Sequence, residues 1–200
     1  MTAISLRWTA LALCPLLLAA CSRESAADAS LLGELAPAGG VDAAGVFVSP
    51  SGDEIGHVVF KEGPRGVLMR VDLKGLSEGW HGVHLHMTAD CSDGADGFKA
   101  SGGHINPDAV AHGLLNPDGA HRADLPNIYA GADGRATAEI YRADVALRPS
   151  EQSAAENGPF PLLDDDGFAV IVHEMADDHQ TQPIGGAGGR VACAAISNSS

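Results

Sequence analysis

Positive charge is what this sequence has least of. Against 26 Asp and Glu stand 12 Lys and Arg, a formal net charge of −14. So acidic a chain excludes nucleic acid and anionic lipid surfaces as electrostatic partners. Aromatic residues are scarce, 4% of the chain, in a composition rich in Gly, Ala, Asp and Val that is otherwise ordinary for a globular protein. No apolar run is long enough to span a bilayer; Leu11 to Leu18 is too short. There is no internal repeat, and no segment reads as a helix. Cysteine is scarce too, with four in 200 residues. Histidine is not: there are nine, and that surplus beside so few cations points to metal rather than polyanion binding.

Residues 1–20 read as a targeting segment. Arg7 supplies the positive start, the apolar run follows, and Leu18-Ala19-Ala20-Cys21 ends it. Small residues followed at once by cysteine resemble a bacterial lipoprotein signal, with Cys21 lipidated as the mature N-terminus. The expected location is the periplasm or cell envelope, and the expected membrane contact is the N-terminal lipid alone. Removing Arg7 takes the formal charge from −14 to −15. Residues 21–40, of Ala, Ser, Glu and Gly without apolar periodicity, read as a flexible tether. Residues 41–200 form the domain. Two cysteines remain there, Cys91 and Cys193, and in an oxidising compartment an even pair reads as a disulfide.

The domain reads as all-β. Short runs at Val46–Val48, Ile55–Lys61, Val67–Leu73, Trp80–His86, Ile128–Tyr129, Arg135–Tyr141, Phe168–His173 and Val191–Ile196 are separated by Gly, Pro, Ser and Asp clusters. The expectation is about eight antiparallel strands in a sandwich or barrel, with two long loops, His86–Asp124 and Glu174–Gly189. Loops that long are uncommon in a compact domain unless they carry function.

Six of the nine histidines fall between Gly79 and Asp124. On a strand, i and i+2 share a face, so His84 and His86 project together and can chelate one metal, while His81 points away into a structural role. His173 ends a run that reads as a buried strand, where an ionisable ring is costly without a partner. His104, His112, His121 and Asp124 offer three nitrogens and a carboxylate, a set that suits four-coordinate zinc. Imidazole suits copper equally. One ring, such as His104 in its glycine-rich turn, can serve two metals at once. A zinc set with four protein donors leaves no place for a hydrolytic water, which disfavours hydrolysis.

The motifs Gly79-Trp80-His81-Gly82-Val83-His84-Leu85-His86, Gly102-Gly103-His104-Ile105-Asn106-Pro107, Asp124-Leu125-Pro126-Asn127-Ile128, His173-Glu174-Met175-Ala176-Asp177-Asp178 and Pro183 to Cys193 resemble the copper–zinc superoxide dismutases of the bacterial periplasmic type. The likeness runs from about Val46 to Ile196. It implies an eight-stranded Greek-key barrel or sandwich. It implies dismutation of superoxide to dioxygen and hydrogen peroxide by a copper centre bridged to zinc through His104, with one copper and one zinc per subunit, protecting the cell envelope. His84, His86, His104 and His173 match copper ligands, and His104, His112, His121 and Asp124 match zinc ligands. Asp177 matches the carboxylate that hydrogen-bonds ligands of both metals. Arg190 matches the active-site arginine, catalytic together with His104. Cys91 and Cys193 match the family disulfide. Superoxide is the implied substrate, and relatives are monomers or homodimers.

The alternative is a non-catalytic copper- and zinc-binding lipoprotein of the same fold; filled ligand positions with Asp177 and Arg190 favour catalysis. Some departures stand out. The loop Glu174–Gly189 has no Lys or Arg, so attraction of an anion is expected to rest on Lys99, Arg190 and Arg122. Ala123 stands where the family has glycine, and Met87 and Thr88 where relatives often have Glu and Gly. His57 and His179 match no ligand and are expected at the solvated surface.

Overall fold

The computed structural model describes residues 33–198, so the expected targeting segment and Cys21 lie outside the described residues. The compact unit begins at Leu35, ahead of the Val41 boundary expected for the domain. Eleven strands follow in order: β1 (Ala43–Val48), β2 (Glu54–Gly63), β3 (Gly66–Leu73), β4 (Gly79–His81), β5 (Val83–His86), β6 (Ile128–Ala130), β7 (Ala136–Arg142), β8 (Val145–Ala146), β9 (Phe160–Pro161), β10 (Phe168–His173) and β11 (Arg190–Ile196). Seven form one antiparallel sheet in the order β5-β10-β11-β1-β2-β3-β7, while β4 pairs with β6 and the short β8 with β9. Counting β4 and β5 as one strand interrupted at Gly82, and leaving aside the two-residue β8 and β9, gives the eight expected. A turn at Gly131–Arg135 returns the chain from β6 into β7. As β6 also pairs with β4, the sheet curls toward a barrel, and the β3-to-β7 pairing is the Greek-key crossover.

Alternation explains the strands. In β3, Val67, Met69, Val71 and Leu73 are buried on one face while Leu68, Arg70 and Asp72 are half-buried on the other. In β10 every residue from Phe168 to His173 is buried, as its continuous apolar run requires. Phe60 and Phe168 meet edge-to-face in the core at 5.3 Å between centroids. Each such side chain contributes about 1.5–3 kcal/mol of burial. Between β7 and β10 the stretch 143–167 contributes only the short β8 and β9.

Three features of this frame position the site. β5 lies at the edge of the large sheet, so one side of its backbone needs partners, and the long loop supplies them. Leu85 N–H donates to Ala123 O (3.1 Å), Ile105 N–H to Leu85 O (3.0 Å) and Met87 N–H to Gly103 O (3.0 Å). A register shift between Val172 and His173 sets His173 opposite Arg190 on β11; a bulge there re-aims the histidine. Gly185, at φ +61°, lies so close to Asp177 that a Cβ would meet its Oδ1 at 1.6 Å, so only glycine allows the loop this path.

Candidate metal centre

His84 and His86 project from one face of β5 and His173 from the end of its neighbour β10. The loop pinned along the edge of β5 delivers the rest: His104 bridges to His86, and Asp124 to His84. His84, His86, His104 and His173 bring one donor atom each within 4.8 Å of one another, and so do His104, His112, His121 and Asp124. His104 belongs to both sets.

Each ring is anchored by one nitrogen and offers the other. His84 Nε2–H donates to Asp177 Oδ2 (2.8 Å), His86 Nδ1–H to Gly102 O (2.9 Å) and His173 Nδ1–H to Gly188 O (3.2 Å). Their remaining nitrogens, His84 Nδ1, His86 Nε2 and His173 Nε2, together with His104 Nε2, are buried and have no hydrogen-bond partner. Four buried nitrogens converging without a donor among them are costly as they stand, and a cation satisfies all four.

The second set gathers on one oxygen. His112, His104 and His121 present Nδ1 to Asp124 Oδ1 at 2.8, 3.3 and 3.7 Å. Tetrahedral zinc with bonds of about 2.0–2.1 Å separates its donors by about 3.3 Å, which these spacings bracket. His112 Nε2–H donates to Asp177 Oδ1 (3.1 Å) and His121 Nε2–H to Val110 O (3.1 Å), which fixes both rings. Asp124 Oδ2 accepts from Gly113 N–H (2.8 Å) and His121 N–H (2.9 Å), and Arg142 donates to its backbone carbonyl. The donors present therefore fit two ions sharing one ring.

The charge state suits ligation. Burial, with the neighbouring His104 charge, depresses His84 to about 4. Burial, with Arg190 and His104, depresses His86 to about 2. Burial, with His84 and His104, depresses His173 to about 3. At neutral pH these rings are uncharged, the form that binds metal. Burial alone would raise the two carboxyls. The His104 contact and the Gly113 amide instead hold Asp124 well below the usual carboxylate range. His84 and the His179 amide do the same for Asp177. Asp177 touches one ring of each set and is 2% exposed.

Arg190 is half-buried at the start of β11. Its Nη1 donates to Phe98 O (2.5 Å) and Ser101 Oγ (3.0 Å), and its Nη2 to Gly102 O (3.0 Å). The Gly102 carbonyl thus serves Arg190 and His86 together. Burial pushes the guanidinium pKa down, and Asp93 opposes that. Cys91 and Cys193 form a disulfide with Cα atoms 5.7 Å apart, tying this segment to β11. Phe98, at φ +53° and fully buried, packs with Ala169, Ile171 and Cys193 beneath it. Lys99 is exposed on the next single 3-10 turn, Lys99–Ser101.

Ala123 is buried and has no positive φ, so its position does not require glycine. Met87 is 51% exposed with its methyl group over Gly102 and Gly103, and Thr88 Oγ1–H donates to Asp166 (3.4 Å). Arg122 is no free cation: it pairs with Asp108 (2.7 Å) and donates to Asp144 O (2.9 Å). His81 takes the structural role expected, its Nδ1–H donating to His173 O (2.7 Å).

His57 and His179 are not the solvated surface residues expected. His57 is 4% exposed, because β2 is buried on both faces from His57 to Phe60. His179 is half-buried at φ +60°, its N–H donating to Asp177 Oδ1 (2.6 Å). Asn127 escaped the sequence reading. Its amide grips both backbone groups of Asp177, donating to Asp177 O (2.8 Å) and accepting from Asp177 N–H (2.9 Å). The only signal was its place in the Asp124-Leu125-Pro126-Asn127 motif.

Comparison with known proteins agrees with this geometry. The chain is 48% identical over 155 residues to the Cu-Zn superoxide dismutase of Caulobacter vibrioides, covering 77% of this chain and 84% of the relative. It is 34% identical to a superoxide dismutase-like protein of Bacillus subtilis, over 75% of this chain and 73% of that one. Among solved structures it superposes on a Bacillus subtilis SOD-like protein with a TM-score of 0.67 at 31% identity, covering 76% of this chain and 96% of that one. For the Cu/Zn superoxide dismutase of Brucella abortus the TM-score is 0.54 at 30% identity, with 76% and 97% covered. The sequence profile described as copper/zinc superoxide dismutase matches residues 54–196, which take in every donor of both sets, and the chain belongs to that family.

Proposed function

We propose that this protein dismutes superoxide to dioxygen and hydrogen peroxide, with one copper held by His84, His86, His104 and His173 and one zinc held by His104, His112, His121 and Asp124. The observation that carries the reading is His104, whose Nε2 opens into the first set while its Nδ1 faces Asp124 in the second. Copper, when bound, supplies a one-electron redox couple, and zinc a fixed positive charge on the far side of the shared ring.

The chain supplies the rest. Arg190, held by three carbonyl or hydroxyl acceptors, presents a fixed positive charge that draws and orients the anionic substrate. Lys99 lies between Phe98 and Ser101, both of which bind Arg190, and extends that field outward against an acidic surface. His104 Nε2 is the nitrogen that would hold one proton taken from water whenever it is not serving as a donor to the ion, and would pass it to the peroxide product, whose second proton water supplies. Asp177 keeps His84 and His112 in the tautomers that leave Nδ1 open. The Cys91–Cys193 bond suits an oxidising compartment, which supports the envelope location.

The test is metal analysis with activity and an electron spin resonance spectrum. One copper and one zinc per chain, a rhombic copper signal and rapid superoxide loss are expected. Stoichiometric metals with no turnover would establish the non-catalytic binding protein instead. His104→Ala is expected to bind both metals more weakly and to abolish turnover.

A further inference from the structure

Residues 107–120 hold His112 without any strand, so its backbone needs partners from elsewhere. One side chain supplies them. Gln182 Oε1 accepts from His112 N–H (2.9 Å), and Gln182 Nε2–H donates to His112 O (2.9 Å). A single amide thus reproduces one rung of an antiparallel ladder, and its second N–H donates to Gln180 O (2.9 Å). Neighbouring contacts run the same way. Leu115 N–H donates to His179 O (3.1 Å), and Gly113, at φ +117°, approaches His179 so closely that a Cβ would lie 2.1 Å from its carbonyl oxygen. The segment 112–115 is therefore strapped to 179–182, in the loop that carries Asp177. The His112 ring spans the same gap, from Asp124 on one side to Asp177 on the other.

We infer that Gln182 is a positioning residue for the zinc half of the centre: it grips both backbone groups of His112, aims Nδ1 at Asp124 and slows loss of the ion. The inference rests on the proposed reading of His112 as a zinc ligand. The Gln182 side chain bonds to backbone groups of His112 and Gln180 and offers no donor to either candidate set, and its exposed position makes substitution compatible with folding. Asn127 grips Asp177 in the same manner, so the two amides hold the two ends of one relay, His112 and the carboxylate it meets.

The experiment compares wild type with Gln182→Met, which keeps the length and removes both bonds, and Gln182→Glu, which keeps only the acceptor for His112 N–H. Zinc release to a chromophoric chelator, the visible spectrum of cobalt(II) placed in the zinc site, and the melting midpoint of the metal-free protein are read for each. Gln182→Met is expected to release zinc about tenfold faster and to shift the cobalt bands, with Gln182→Glu in between and the metal-free midpoint unchanged. Zinc release at the wild-type rate overturns the inference. So does faster release with an unshifted cobalt spectrum and a matching fall in the metal-free midpoint, which marks a purely structural role. His112→Ala separates the two claims. If it retains zinc like wild type, the ligand assignment itself falls; if it loses zinc while Gln182→Met does not, only the present inference falls.

Discussion

Asp177→Asn is the sharpest perturbation of this centre, because it changes one buried carboxylate between the two donor sets and leaves every donor in place. The carboxylate accepts at both oxygens. Oδ2 takes the His84 Nε2–H at 2.8 Å, while Oδ1 takes the His112 Nε2–H at 3.1 Å and the His179 N–H at 2.6 Å. An amide has one acceptor oxygen. It serves best on the Oδ1 side, where two donors converge, and its NH2 then faces His84. A donor cannot meet the His84 Nε2–H, so that ring must move its proton to Nδ1, the nitrogen left open toward the proposed copper set. Copper binding must then displace that proton, while His112 keeps its support. The loop stays put, since Asn127 holds the Asp177 backbone by two bonds independent of the side chain. Partners of this kind change metal affinity by about 10–100-fold. Copper affinity is expected to fall toward the upper end of that range and zinc affinity by much less. Chelator competition for each metal, run separately, measures both. A larger loss for zinc than for copper, or no loss of either, would refute the reasoning.

Lys99→Ala is expected to lower the superoxide rate constant and to flatten its dependence on ionic strength, while the copper spin resonance spectrum stays the same; an unchanged rate and slope would remove Lys99 from the steering field. Cys193→Ser opens a loop closed across 102 residues, which by the chain-entropy model weakens the metal-free fold by about 4.7 kcal/mol, readable as a shift of the urea midpoint. The metal-free protein is also expected to weaken in acid. His84, His86 and His173 are held at about 4, 2 and 3 in the fold against 6.5 when exposed, so below about 6.5 the unfolded chain binds more protons. Stability is then lost progressively as pH falls from about 6.5 toward 3, with Asp124 and Asp177, also depressed, adding to the loss at the lower end. A melting midpoint that stays level from pH 7 to pH 4 would contradict this.

Much of the protein is legible along the chain because its code there is local. Alternation in Val67–Leu73 and the unbroken run Phe168–His173 specify strands, as side chains two apart share a face and a run without polar residues must be covered on both sides. The same parity joins His84 to His86 and separates His81. Spacing and motif bring His104, His112, His121 and Asp124 into one candidate set. Local rules stop where partners are distant in sequence. That His57 is buried depends on how both faces of β2 are covered. That Arg122 is neutralised depends on Asp108 and Asp144, and that Asn127 and Gln182 grip Asp177 and His112 depends on two loops meeting 50 and 70 residues apart. An amide that serves as a ladder rung looks like any polar loop residue until its partner is beside it. The residues alone therefore determined the strands and which side chains could bind metal. Tertiary packing decided which nitrogen of each ring is tied down and which is left open, because a tautomer is set by the neighbour across the fold.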